Sequence, residues 1–469
     1  MIIELLNRIK YKYIVAGILL LSCLLLASCK IGKSYQRPVM ADMPDTFEIA
    51  EMQEGAISDI GWSTLYSDTI LQQLIEQSLE HNKDVLIATA RIKEMIANKR
   101  ITFANMLPEV GLDALGQREY LNYGGDNKKF TPEIHADLTF GWELDIWGKL
   151  RWANEAGVAE YMQSVEARKA LTLTIISQVA QNYFGLKALD RELEIVKQTL
   201  EARKEGVRFA KLRYEGGLTS EITYRQSMVE LARTETLIPS LENEIKLKEN
   251  DLSILLGRFP GEIIRSNTDI SEIPIPPNLP VDLPSSLLKR RPDVAEAEQR
   301  LIAANAQVGV ALTSLFPSLK LTGRLGAENS ELANFLKSPT WFLGSALTGP
   351  LFNFGKIKAA HNASKAAYEQ EVYNYEKTVQ NVFKEVNNAI NSFQKAKEVR
   401  VSREKLYESV QSYQNLSRLQ YVNGVISYMD VLDAQRQLFD AEISLNDAIL
   451  AELNSVVLLY KVLGGGLEK

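Results

Sequence analysis

Apolar positions between Lys356 and Asn423 keep a seven-residue beat. Val372, Val379, Val386 and Phe393 form one row and Tyr375, Val382, Ala389 and Ala396 the next, with Phe383 and Ile390 widening the seam. A seam wider than a two-stranded stripe predicts a helix packed among several neighbours. The run holds about 68 residues without glycine or proline, which as a helix spans roughly 100 Å. Asn423-Gly424 stops it, and a second run without breakers, Val425 to Leu463, follows. Long helices joined by so short a turn lie antiparallel. Leu71 to Leu107 also reads as helical, with a break near His81-Asn82 and a stop at Pro108.

A period of two marks a different element. Ile134, Ala136, Leu138, Phe140 and Trp142 alternate with His135, Asp137, Thr139 and Gly141, giving one greasy and one wet face. Leu112 to Gln117, Leu321 to Gly326 and Trp341 to Thr348 read as shorter, weaker strands, separated by polar loops at Gly124–Asn127 and Glu328–Pro339.

The chain is duplicated. Asp84-Val85, Ala88, Arg91, Ala97 and Pro108 recur 209 positions later as Asp293-Val294, Ala297, Arg300, Ala306 and Pro317. Trp147-Gly148-Lys149 recurs 207 positions later as Phe354-Gly355-Lys356, and Tyr214, Gly217, Ser220 and Glu235 as Tyr421, Gly424, Ser427 and Glu442. Each half reads helix, strand pair, long helix, tight turn, long helix. Each strand of about nine residues suffices to cross a bilayer when tilted.

Four strands with a greasy outer face cannot close on themselves, and open edges are not tolerated in lipid. Two chains would share about eight strands around a side-chain-filled interior, three about twelve around a lumen. The wet faces favour three. The alternative is a soluble hairpin insertion packed on the helices.

The N-terminus reads as a targeting segment. Arg8, Lys10 and Lys12 precede an apolar stretch, Tyr13 to Leu26, that is short for a membrane span and ends Leu26-Ala27-Ser28-Cys29. Small residues followed by cysteine resemble a bacterial lipobox, whose cysteine is acylated; the alternative is an uncleaved anchor. Removing residues 1–28 takes three basic side chains and Glu4, moving the net charge from −6 to −8. Cys23 leaves with the leader, so no disulfide is expected. From Lys30 to about Leu65 the chain reads as an extended arm.

Composition narrows the function. A chain 46 % hydrophobic and 24 % charged is neither disordered in bulk nor a multi-span helical membrane protein. A charge of −6 argues against a nucleic-acid surface. His81, His135 and His361 stand in unrelated contexts, and no phosphate-binding glycine loop is present. Asp430 and Asp433 suit solvated helix positions or a pore ring better than acid–base work. No catalytic residue, metal or cofactor is expected beyond covalent lipid on Cys29.

The chain resembles the TolC-like outer-membrane factor family, in its acylated OprM/NodT branch of efflux lipoproteins. The resemblance rests on Cys29 with Tyr35-Gln36-Arg37-Pro38, on Trp142 through Lys149, on Leu287 through Val294, on Phe316-Pro317 and above all on Tyr421 through Arg436. It implies a mainly α fold with a transmembrane β part: a homotrimer with a 12-stranded β-barrel in the outer membrane, continuous with a long periplasmic α-helical barrel. The expected segments are a signal peptide at 1–28, a lipidated arm at 29–65, a first repeat at 66–257, a linker at 258–285, a second repeat at 286–463 and a tail at 464–469. Within the repeats, strands are expected at about 110–122, 131–144, 319–327 and 340–349, and long helices at about 148–215, 220–257, 355–423 and 427–463.

The resemblance implies the passive outer-membrane exit duct of a tripartite, RND-type efflux system. Its hairpin tips, Gly216, Gly217, Leu218 and Thr219 with Asn423, Gly424, Val425 and Ile426, would meet a periplasmic adaptor protein that couples the duct to an inner-membrane pump. Threefold geometry brings one side chain from each copy together, and Met429 and Asp433, one helical turn apart, would form two rings. The family has leucine and aspartate at these positions; Met429 here is more flexible. Arg436 would neutralise Asp433 in a closed state and Tyr421 would brace the neighbouring helix; an ordinary intrahelical Asp433–Arg436 pair is the alternative. Two other functions stand beside the duct: the outer-membrane channel of type I protein secretion, and a structural coiled-coil lipoprotein stalk.

Overall fold

The computed structural model describes residues 30–38, 40, 44, 60–122, 124, 128–275 and 284–465. The leader, Cys29, most of the expected arm between residues 39 and 59, the tip of the first hairpin loop, part of the linker and the tail 466–469 lie outside the described residues. The elements are α1 (Trp62–Leu65), α2 (Thr69–His81), α3 (Lys83–Ala104), β1 (Glu109–Asn122), β2 (Lys128–Leu144), α4 (Lys149–Glu215), α5 (Glu221–Leu255), α6 (Pro284–Arg290), α7 (Pro292–Thr313), β3 (Ser318–Asn329), β4 (Pro339–Thr348), α8 (Lys356–Val422) and α9 (Tyr428–Val462). The arm expected to be irregular up to Leu65 therefore closes with a short helix, and the polar loop before Pro339 holds a 3-10 segment, Leu332–Lys337.

By contacts the chain forms two compact units that cut across the sequence repeats. The first joins the N-terminal stretch to residue 38 with Arg91–Val165 and Glu296–Glu376; the second joins residues up to Ala90 with Glu166–Ala295 and Lys377–Lys469.

In the first unit, the four strands make one antiparallel sheet in the order β1-β2-β3-β4. β1 and β2 hold 14 and 17 residues. Gln117-Arg118-Glu119 breaks the alternation in the sequence, yet the ladder runs on through Asn122↔Lys128. Gln117 Nε2 donates to Glu133 at 2.6 Å, and the Arg118 guanidinium lies 5.0 Å from the Phe130 ring, so polar side chains find partners across the strand pair.

Register lines up Leu112↔Leu138, Leu138↔Leu325 and Leu325↔Trp341. These four apolar side chains form a row across the sheet, 54–79 % exposed. The neighbouring row, Asp113↔Asp137↔Gly326, lies on the other face, where Asp137 is buried and sits 3.7 Å from Arg324. The apolar face is thus the bare one and the polar face the more enclosed, the reverse of a sheet made for water.

The helical base of this unit packs on Trp152. It is buried with Ala156 and Ala306, and a methyl group on Gly309 of α7 would collide with its ring. The indole N–H donates to Ile31 O at 2.7 Å, and Lys30 Nζ lies over the ring while pairing with Glu155. Ile31 N–H donates to Trp147 O. Farther along the arm, Tyr35 Oη (3.1 Å) and Arg37 Nε (2.7 Å) both donate to Glu298 of α7. This clamp accounts for the Tyr35–Pro38 stretch singled out above.

In the second unit α9, the most apolar long helix, buries Val431, Leu432, Val456, Val457, Leu459 and Tyr460. The heptad seam of α8 is buried there from Val379 through Val382, Val386, Ala389 and Ile390 to Phe393. Asp68, at the N-cap of α2, ties the linker to α4: it accepts from Tyr183 Oη (2.7 Å) and Ser266 Oγ (2.6 Å) and from the backbone N–H of Ile70 and Leu71. Burial pushes its pKa up, but these hydrogen bonds outweigh that and hold the carboxyl below its ordinary value. Lys187 donates to Ser266 and Thr268 beside it, and burial lowers the ammonium's pKa.

Candidate functional site

The two helical hairpins end in the same local structure. At the first tip Gly217 takes φ +72, Gly217 N–H donates to Tyr214 O and Leu218 N–H to Arg213 O. At the second Gly424 takes φ +74, Gly424 N–H donates to Tyr421 O and Val425 N–H to Gln420 O. These are left-handed glycine caps that satisfy the last carbonyls of long helices. The cap leaves Leu218 and Val425 outside, 72 % and 69 % exposed. Gly216 and Asn423 complete the turns, with Asn423 Nδ2 donating to Leu419 O; Thr219 and Ile426 are half-buried.

The return helices start on serine. Ser220 accepts from Ile222 N–H, and Ser427 forms a reciprocal capping box with Asp430. Ser427 Oγ and N–H donate to Asp430 at 2.7 and 2.9 Å, and these bonds hold its carboxyl below the usual range. Asp430 is therefore a cap, which leaves Asp433 as the acidic candidate.

Met429 and Asp433 are both exposed, one turn apart on α9. Asp433 Oδ2 accepts from Gln437 Nε2 at 2.7 Å, while Arg436 Nε donates to Leu432 O. Among the described residues no intrahelical Asp433–Arg436 ion pair forms. The Arg213 guanidinium of α4 lies 5.0 Å from the Tyr421 ring, and the Tyr428 ring lies 5.2 Å from it.

Two residues here escaped sequence reasoning. Arg203 of α4 is buried, donates to Thr234 and to Glu230 O, and faces Phe439 of α9 at 5.7 Å. Burial lowers its pKa, partly offset by Glu230. Tyr428 presses its hydroxyl against Gly206 of α4, where a Cβ would stand 2.5 Å from it. An isolated glycine inside a long helix is the signal that marks such a close approach.

Comparison with known proteins bears on what such an arrangement does. The family model described as Outer membrane efflux protein matches residues 74–258 and 283–465. The chain is 30 % identical over 451 residues to the cation efflux system protein CusC of Escherichia coli strain K12, covering 94 % of this chain and 97 % of that one. It is 29 % identical over 462 residues to the toluene efflux pump outer membrane protein TtgC of Pseudomonas putida, covering 96 % and 95 %. The crystal structure of the open state of the Neisseria gonorrhoeae MtrE outer membrane channel superposes with a TM-score of 0.87 at 27 % identity, over 94 % and 99 % of the two chains.

Proposed function

The chain belongs to the outer membrane efflux protein family, and from that premise we propose that three copies form one passive exit duct through the outer membrane. One observation carries this reading: the four-stranded sheet exposes its apolar row, encloses its polar face and leaves β1 and β4 as open edges. Lipid tolerates the apolar face but not the edges, so other copies must cover them. Three such sheets supply twelve strands around a wet lumen, and the helical hairpins serve as the periplasmic conduit.

The duct does no chemistry. It carries what an inner-membrane pump delivers, through an adaptor that docks at Leu218 and Val425. The names of CusC and TtgC refer to cargoes as unlike as cations and toluene; similar chains serving both support placing selectivity in the pump. Met429 and Asp433 form the rings at the periplasmic mouth, with Arg436 and Tyr421 setting the position of α9. An acyl group on Cys29 anchors the arm, whose described start, Lys30 and Ile31, sits against Trp147 and Gly148 just past the end of β2. Planar-bilayer recording of the purified protein tests the reading. Discrete conductance steps are expected, and membranes that stay silent for both the native chain and a Met429→Ala, Asp433→Ala variant would refute it.

A further inference from the structure

The duplication extends into the sheet residue by residue. Adding 209 to β1 and 207 to β2 turns the pair Glu109↔Gly141 into Ser318↔Thr348, and Leu112↔Leu138 into Leu321↔Ser345, both of which are observed in the second hairpin. The two hairpins therefore share one register. What joins them is β2·β3, which sets Phe140 opposite Gly323, Leu138 opposite Leu325, Ala136 opposite Ala327 and Ile134 opposite Asn329. β4 and β1, the repeat equivalents of β2 and β3, have no such partner among the described residues of one chain.

The ends of these strands show the same asymmetry. At the base of β2·β3, Trp147 stacks on Phe316 at 5.1 Å and donates its indole N–H to Pro317 O at 2.7 Å. The equivalents of Trp147, Phe316 and Pro317 are Phe354, Leu107 and Pro108. Phe354 is 91 % exposed and held in left-handed backbone at φ +51, a strained setting for an aromatic residue, and its ring meets that of Phe352, itself 79 % exposed, edge-on at 4.5 Å. Leu107 and Pro108 are also exposed, beside a recess lined by Ala104, Asn105, Glu109 and Trp142. A knob and a seat that meet inside one chain at the first joint are both left open at the second.

We infer that β4 of one copy pairs with β1 of the next in the register of β2·β3, setting Leu347 opposite Ala114, Ser345 opposite Gly116, Leu343 opposite Arg118 and Trp341 opposite Tyr120, with Phe354 seated on Leu107 and Pro108 of that copy. This rests on the shared barrel proposed above and adds its register and its lock. The register keeps faces matched: Trp341, in the exposed apolar row, meets Tyr120, whose ring already packs on Phe130 at 4.9 Å. An aromatic cluster then closes the rim of the joint, where membrane barrels concentrate such residues. A slip by one residue would turn the apolar set inward, so only slips by two compete.

Paired cysteines separate this register from its neighbours. Full-length protein carrying Leu347→Cys with Ala114→Cys is compared with Leu347→Cys with Leu112→Cys and Leu347→Cys with Gly116→Cys, because directly opposed Cβ atoms reach disulfide distance and diagonal ones do not. Light scattering of each variant in detergent first establishes whether three chains are associated. Covalently linked trimer on non-reducing denaturing gels is expected for the first pair alone. Associated trimers linked through a slipped pair, or through none, overturn the register while leaving the duct intact; an unassociated chain overturns the duct itself. In the lock, Phe354→Ser is expected to lower the temperature at which the trimer dissociates and Phe354→Trp to retain it. An unchanged dissociation temperature for Phe354→Ser removes the lock.

Discussion

The Asp433 carboxylate is held by Gln437, at 2.7 Å, and not by Arg436 three residues along the same helix. Among the described residues no cation pairs with its charge, which is what a ring of three acids at a pore mouth needs in order to act on passing ions. Asp433→Asn is expected to reduce the cation-over-anion permeability of the reconstituted channel with little change in fold. Met429→Ala is expected to raise conductance. Reversal potentials in a salt gradient check the first and single-channel amplitudes the second.

The exposed tips make a separable prediction. Leu218→Asp with Val425→Asp changes side chains that pack on little within the chain, so melting should move by no more than a surface substitution does, within about 0.5 kcal/mol. Cells relying on this duct for export should nevertheless lose resistance, and co-purification with the adaptor should fall. A variant that melts early would point to a role in folding.

Gly309 leaves no room for a methyl group against the Trp152 ring. Trp152→Ala is expected to cost about 3–5 kcal/mol. Gly309→Ala gains about 1 kcal/mol of helix propensity, but its new methyl meets a buried ring that cannot swing away, and overpacking of about 1–3 kcal/mol outweighs the gain. Denaturant midpoints of the two variants measure both signs.

Acid sensitivity follows from Asp68. Its folded pKa lies below the ordinary 3.8, so the stability it contributes is present above the unfolded value and is lost as pH falls through the folded one. The native protein's melting temperature should drop as pH falls below about 3.8, and Asp68→Asn, lower at neutral pH, should show a smaller drop there. Parallel slopes for the two proteins would assign acid loss to other groups.

How much of this was legible beforehand follows the range of the interactions. The seam from Tyr375 to Phe393, the alternation through Ile134–Trp142 and the glycines at both tips act between residues a few positions apart, and each left a periodic or local mark. The duplication supplied the rest of the architecture. Gln117 and Arg118 interrupt the alternation of β1, and what carries the strand through them is the partner strand, which supplies Glu133 and Phe130. Contacts between distant segments left no pattern: Asp68 meets Tyr183 and Ser266 across 115 and 198 positions, and Arg203 reads as an ordinary surface arginine until α5 and α9 pack over it. Glu298 gave no sign of being the arm's anchor. At the candidate aperture the sequence places Met429 and Asp433 a turn apart, but the choice of Gln437 over Arg436 is set by rotamers that spacing does not determine.

The central claim is that the sheet is one third of a barrel. Native mass spectrometry of the protein released from membranes in mild detergent tests it most directly. Three chains per particle, resistant to dilution, is the result expected; a folded particle of one chain, with β1 and β4 uncovered, would contradict the account.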